Sequence, residues 1–333
     1  MYEFASGVIN VWEKRVLSQT DQERMLTAPD RASSFMVLFD TDLAEMASGT
    51  DDIEQIFEKD LLLLKEKLIK AMEGRNELVD YLFLHFDVLN LKMALKKFFL
   101  KGNFLAAEPF SCSLAPYPEL EKAIGKLFQG VVSLGAPKEA DNIHLPNANL
   151  RRIILLVKKN LSHLADITSA KIETAVDRAY FEVKKESAKN ISSFLEELVG
   201  LQIDVANLKS LVQGGEFIKG GNLNVQDAKE LLKGKEEDFG EENLAKFLEI
   251  LNVSFLIQDF IKNKSNQIVL EQGLQNFLSQ RVFEKSRATS SGLEKVLAFF
   301  YRKLNSHFNI RLILFAKDNN LSEDEVRNLL LPI

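Results

Sequence analysis

A short polar signature occurs three times in this chain, roughly a hundred residues apart, and it restricts the fold before any other feature does. It reads DVLNLK at Asp87–Lys92, DVANLK at Asp204–Lys209 and, more loosely, SHFNIR at Ser306–Arg311. Upstream of each copy lies a second echo: IEQIF from Ile53, IETAV from Ile172 and LEQGL from Leu270. The gap from that first apolar residue to the Asn is 37, 35 and 39 residues. Two motifs that keep nearly constant separation through three copies argue for internal triplication. Units this long are small domains, not solenoid repeats of roughly 20–50 residues. Loop-like segments at Glu108–Pro118 and Gly214–Gly221 follow the first two copies and put boundaries near 102 and 220. The expected repeats are therefore 1–102, 103–220 and 221–333.

The repeats read as helical. Apolar residues at 53, 56, 57, 61, 64 and 68 keep the three-and-four spacing of an amphipathic helix. Leu244, Phe247, Leu248 and Leu251 do the same, as do Val326, Leu329 and Leu330. Thr20–Glu23 and Ser322–Glu325 both fit a capping box, and Asn224 fits a cap for a helix over Val225–Leu232. Gly102, Gly214-Gly215 and Asn319-Asn320 are expected stops, because Gly and Asn tolerate the left-handed end conformation. Only 7 prolines and 16 glycines interrupt 333 residues, so long helices are expected, and 24 phenylalanines supply rings for thick apolar seams. The predicted class is all-α.

Asparagine is a middling helix former, so three mid-helix copies call for a compensating contact. One reading is structural: Asn90, Asn207 and Asn309 each satisfy a buried group where their helix crosses a neighbour, and Lys92, Lys209 and Arg311 pair with Glu54, Glu173 or Glu271. The other places these nine residues on a surface facing a partner.

Catalytic constellations are missing. The histidines at 85, 144, 163 and 307 share no metal-ligand spacing, and His85 and His307, flanking the motifs, are expected on helix surfaces or interfaces. Cys112 in FSCSL reads as a small loop residue, and one cysteine excludes an internal disulfide. The glycine pairs around EFIK match no phosphate-binding loop, and Asp51-Asp52 reads as a helix start. No metal and no cofactor are expected. A net charge of −6 with interleaved signs does not suit a nucleic-acid binder. Stretches such as RIILLV at Arg152–Val157 fall short of the about 20 apolar residues that cross a bilayer, and the amino terminus lacks a secretory pattern.

The opening YEFASGVINVWEKRVLS, IETAVDRAYF at Ile172–Phe181, IDVANLKSLVQGGEF at Ile203–Phe217 and NIRLILFAKDNNLSEDEVRNLL at Asn309–Leu330 carry a resemblance over essentially the whole length. The sequence resembles the C-type subunit of prokaryotic V/A-type ATPases, related to the d-type subunit of the eukaryotic vacuolar enzyme. It departs in having LEQGL for Ile-Glu in the third echo and Lys59–Leu62 where the second repeat has Arg178–Phe181. The resemblance implies three similar helical domains around a pseudo-threefold axis, forming a funnel with a central cavity. It also implies a non-catalytic rotor adaptor without cofactor on the cytoplasmic face of the membrane. Its partners would be the membrane rotor ring and the D and F subunits of the shaft. An unrelated helical scaffold with a peptide-binding groove is the alternative, and a metal-free hydrolase is a remoter one.

Overall fold

The computed structural model describes residues 2–74, 77–100, 108–132, 145–162, 166–212, 217–222, 249 and 267–333. Among the described residues every regular element is helical. In chain order the helices are α1 (Tyr2–Trp12), α2 (Gln19–Thr27), α3 (Arg31–Met36), α4 (Ala44–Ala47), α5 (Ile53–Ala71), α6 (Glu77–Leu100) and α7 (Tyr117–Val132). They continue with α8 (Ala148–Leu161), α9 (Ser169–Ile191), α10 (Ser193–Val212), α11 (Gln267–Arg287), α12 (Leu293–Asp318) and α13 (Glu323–Arg327). The chain divides into two compact units, one of residues 1–75 with 240–333 and the other of residues 76–239.

The first unit is built around α12, against which α1, α2, α3, α11 and α13 pack. Its core joins Ile310, Ile313 and Leu314 of α12 to Met25, Leu26, Leu38, Ile56 and Phe57. Helix α5 buries Ile56, Phe57, Leu61, Leu64 and Leu68, the stripe that its spacing predicts. Asp52 caps it by accepting from the Glu54 amide at 3.0 Å. Helix α12 stops at Asp318, and Asn320 takes the left-handed conformation with φ 55°.

The second unit is organised by α9, which packs on α6, α8 and α10. Leu84, Val88, Leu91 and Leu95 of α6 meet Ile153, Ile154 and Val157 of α8 and Ile172 and Val176 of α9. Helix α6 is buried on most of its circumference, so it carries no polar face of its own. Phe98, Phe99 and Phe128 close one end with edge contacts, the first two rings 5.0 Å apart and the last two 5.6 Å.

One local expectation is corrected. The capping box at the start of α2 is Ser18 with Asp21, not Thr20 with Glu23. Glu23 instead reaches Arg327, with one oxygen 2.9 Å from the guanidinium. Of the two places expected for His307, a helix surface or an interface, it takes the interface, buried against Phe57 with ring centroids 4.2 Å apart. The box at Ser322 and Glu325 is present. Cys112 is buried, and His85 is exposed. His144, His163, Gly102, Gly214-Gly215, Asn224 with Val225–Leu232, and Leu244–Leu251 apart from the helical residue 249 lie outside the described residues.

Candidate functional site

Each repeated Asn clasps the chain that returns after its own helix. Asn90 Nδ2 donates to the Phe110 carbonyl at 3.0 Å while its Oδ1 accepts from the Phe110 amide at 2.9 Å. Asn207 makes the same reciprocal pair with Ile218, at 2.8 and 2.7 Å. Asn309 makes it with Leu331, both bonds being 2.8 Å. A carboxamide offers one donor and one acceptor side by side, so it pairs with the N–H and C=O of a single residue as a strand neighbour would. Neither alanine nor an ionised aspartate can supply both. This geometry compensates the cost of Asn inside a helix.

The residue three places earlier extends the clasp. Asp87 accepts from the amides of Leu114 and Ala115 at 2.8 and 2.9 Å and from Asn147 Nδ2 at 3.1 Å. Asn147 in turn caps α8 through the Asn149 amide at 2.9 Å, so one buried carboxylate fixes both a loop and a helix start. Asp204 accepts from the Asn222 amide at 3.0 Å. A Cβ on Gly221 would come 1.9 Å from the Asp204 Oδ1, so only glycine fits there. The third repeat has Ser306 at this position, and its hydroxyl turns back to the Arg302 carbonyl. The neighbouring Asn305 takes over the tether, donating to the Pro332 carbonyl at 2.7 Å.

Two of the cations that follow the Asn pair with acids on other helices. Lys92 bridges Glu173 and Asp177 of α9 at 2.6 and 2.7 Å, and Lys96 contacts Glu173. Arg311 meets Glu54 of α5 through two bonds of 2.6 Å. Lys92 therefore ties α6 to α9, and Arg311 ties α12 to α5. In each case partner numbers fall as helix numbers rise, the mark of antiparallel helices. Lys209 has no described side chain, and Glu271 lies half-buried on α11. Charges in the Lys92 seam hold Glu173 below the ordinary carboxylate range despite burial, through hydrogen bonds and attraction from Lys92 and Lys96.

The α5–α12 seam carries more. Lys303, His307 and Arg311 follow one another at four-residue spacing on α12 and face Asp60, Phe57 and Glu54 of α5. Lys303 lies 2.7 Å from Asp60 and 2.9 Å from Asp42, and His307 Nε2 lies 2.6 Å from Asp60. Side-chain exposure is 3% for Lys303, 5% for His307 and 6% for Asp60, so these are interior charges. Burial alone would raise the Asp60 pKa, but the Lys303 charge and the His307 hydrogen bond bring it down to about 2. Burial likewise lowers His307, which is neutral at pH 7, and raises Asp42. Sequence reasoning missed this tetrad. The available signal was an acid, Asp60, inside the apolar stripe of α5.

The second unit buries a lysine that pairs with no carboxylate among the described residues. Lys184 donates to the Tyr180 hydroxyl at 2.8 Å and lies over the Tyr81 and Tyr180 rings at 5.2 and 4.9 Å. Desolvation brings its pKa from 10.5 to about 7. The unfolded chain then binds the extra proton between pH 7 and 10.5, so stability rises as pH rises through that window. Lys184→Met is expected to flatten that rise and to stabilise the chain at pH 7, by at most about 1.4 kcal/mol per pH unit of the shift. Urea melts at pH 7 and pH 9.5 on both proteins check this; identical slopes would exclude it.

These features define an all-α protein held by buried polar clasps and antiparallel ionic seams. Among the described residues no group of His, Cys, Asp and Glu could hold a metal ion, and no helix is long and apolar enough to cross a membrane. The family model described as ATP synthase (C/AC39) subunit matches residues 5–329, and the chain belongs to that family. It is thereby a component associated with V/A-type ATPases. No curated protein matches the chain.

Proposed function

We propose that the chain is the non-catalytic central-stalk adaptor of a rotary ATPase. It forms a socket that joins the D and F subunits of the shaft to the membrane rotor ring. It sits peripherally on the cytoplasmic face and transmits torque that couples ATP turnover to ion transport. The family match over residues 5–329 carries this reading. In this reading the three repeats, 1–102, 103–220 and 221–333, are the three domains of a funnel around a pseudo-threefold axis, and its cavity grips the shaft foot. Stiffness supports the role. Each Asn fixes the returning chain at two points, and the Lys92 and Arg311 seams tie helices of different repeats together. A torque-bearing part needs such cross-ties, because a helix bundle held by apolar packing alone allows neighbouring helices to slide.

The nine motif residues Asn90, Lys92, Asn207, Lys209, Asn309, Arg311, Glu54, Glu173 and Glu271 act in this account as the internal frame of the socket, not as its gripping surface. Tagged chain is expected to co-purify the shaft and ring proteins from detergent-solubilised membranes of its source cells. Recovery of unrelated peptides, with shaft and ring proteins absent, would favour a general helical scaffold instead.

A further inference from the structure

The buried tetrad of the first unit is not demanded by the fold. Aligning the repeats on their Asn places Leu84 and Val88 at the positions of Lys303 and His307, six and two residues before it. Aligning the echoes places Ala179 at the position of Asp60. Leu84, Val88 and Ala179 are all buried, so the sister seam between α6 and α9 packs these positions without charge. Buried ions that an apolar set can replace give little stability of their own. Something other than folding accounts for them.

A cavity of about 280 Å³ opens beside the tetrad, lined by Asp42, Asp60 and Lys303 together with Trp12 and Phe299. The two rings lie 5.8 Å apart and tilted, which makes an aromatic wall. Asp42 and Asp60 each direct Oδ2 at Lys303, and Asp60 uses that same oxygen for His307. Neither Oδ1 has a donor among the described residues. At the tetrad two carboxylates face one ammonium, while Lys67 brings the lining as a whole to formal neutrality. The nearby exposed pair Arg15 and Glu45 cancel, and Lys67 sits over Trp12 at 5.8 Å. A hard metal cation needs about six or more oxygen ligands and is poorly served by such a wall. An organic cation is served well, because it can donate hydrogen bonds to free carboxylate oxygens and rest on ring faces.

We propose that this cavity is a binding site for a small primary amine in its ammonium form. The ammonium group occupies the space between the two Oδ1 atoms, and the alkyl part lies along Trp12, Phe299 and Leu63. This reading is independent of the rotor role.

Trp12 is the one tryptophan of the chain, so its fluorescence reports on the cavity directly. Titration of the full chain with n-propylammonium chloride, at ionic strength held constant with sodium chloride, is expected to give a saturable change. Sodium propionate, of similar size and opposite charge, is expected to give none. Asp42→Asn, at the more exposed edge of the tetrad, is expected to weaken the amine by about tenfold or more. A response that does not saturate, or that propionate reproduces, overturns the proposal. So does an unchanged affinity in the variant. The propylammonium and propionate titrations of the unaltered chain decide the matter even where the variant fails to fold.

Discussion

Asp60→Ala is expected to lower the unfolding free energy by about 3–5 kcal/mol, because it leaves Lys303 and His307 buried without their shared carboxylate. The loss is not the worth of the tetrad; it is the cost of leaving His307 without its carboxylate and Lys303 with Asp42 alone. The quadruple variant Asp42→Asn, Asp60→Ala, Lys303→Leu and His307→Val installs the Ala, Leu and Val that the α6–α9 seam uses. It is expected to recover wild-type stability to within about 2 kcal/mol, or to exceed it. Urea denaturation of the wild type, the single variant and the quadruple variant makes the comparison. A quadruple variant as unstable as the single one would mean that the tetrad carries the fold, and the case for a ligand in its cavity would fail with it.

Alanine at Asn90, Asn207 or Asn309 is expected to cost about 2–4 kcal/mol at each site, because every substitution takes the acceptor from one backbone N–H and a donor from one C=O. The costs should be similar at all three positions, since each Asn makes the same reciprocal pair. Aspartate should not rescue any of them. It keeps the acceptor for the amide but turns a charged oxygen toward the carbonyl. Equilibrium denaturation of the isolated chain tests the series. Unaltered stability with lost assembly into the ATPase complex would make these residues interface contacts instead. By contrast Glu54→Gln is expected to cost no more than about 1 kcal/mol, because Arg311 and Glu54 are 48% and 62% exposed.

The helical class was legible because its signals are local. The α5 stripe, the Ser322 box and the Asn319-Asn320 stop all act within a turn or two of chain. The Asn positions were legible because the short motif that holds them recurs three times in the sequence. Their partners were not: Phe110, Ile218 and Leu331 lie 20, 11 and 22 residues downstream, and nothing in their side chains marks a backbone contact. The box at the start of α2 lies two residues before the expected one: Asp21 folds back on Ser18 with one oxygen and meets Arg24 with the other. Glu23 is drawn away by Arg327, 304 residues later. Asp60 and Lys303 are separated by most of the chain, so a charge inside an apolar stripe was visible while its purpose was not.

The most direct test of the central claim is ATP-driven ion uptake by membrane vesicles whose ATPase complexes contain or lack this polypeptide. Without it, ATP hydrolysis by the head should continue while uptake falls to background, and adding back the purified protein should restore transport. Full transport in its absence would contradict a mechanical link between shaft and ring.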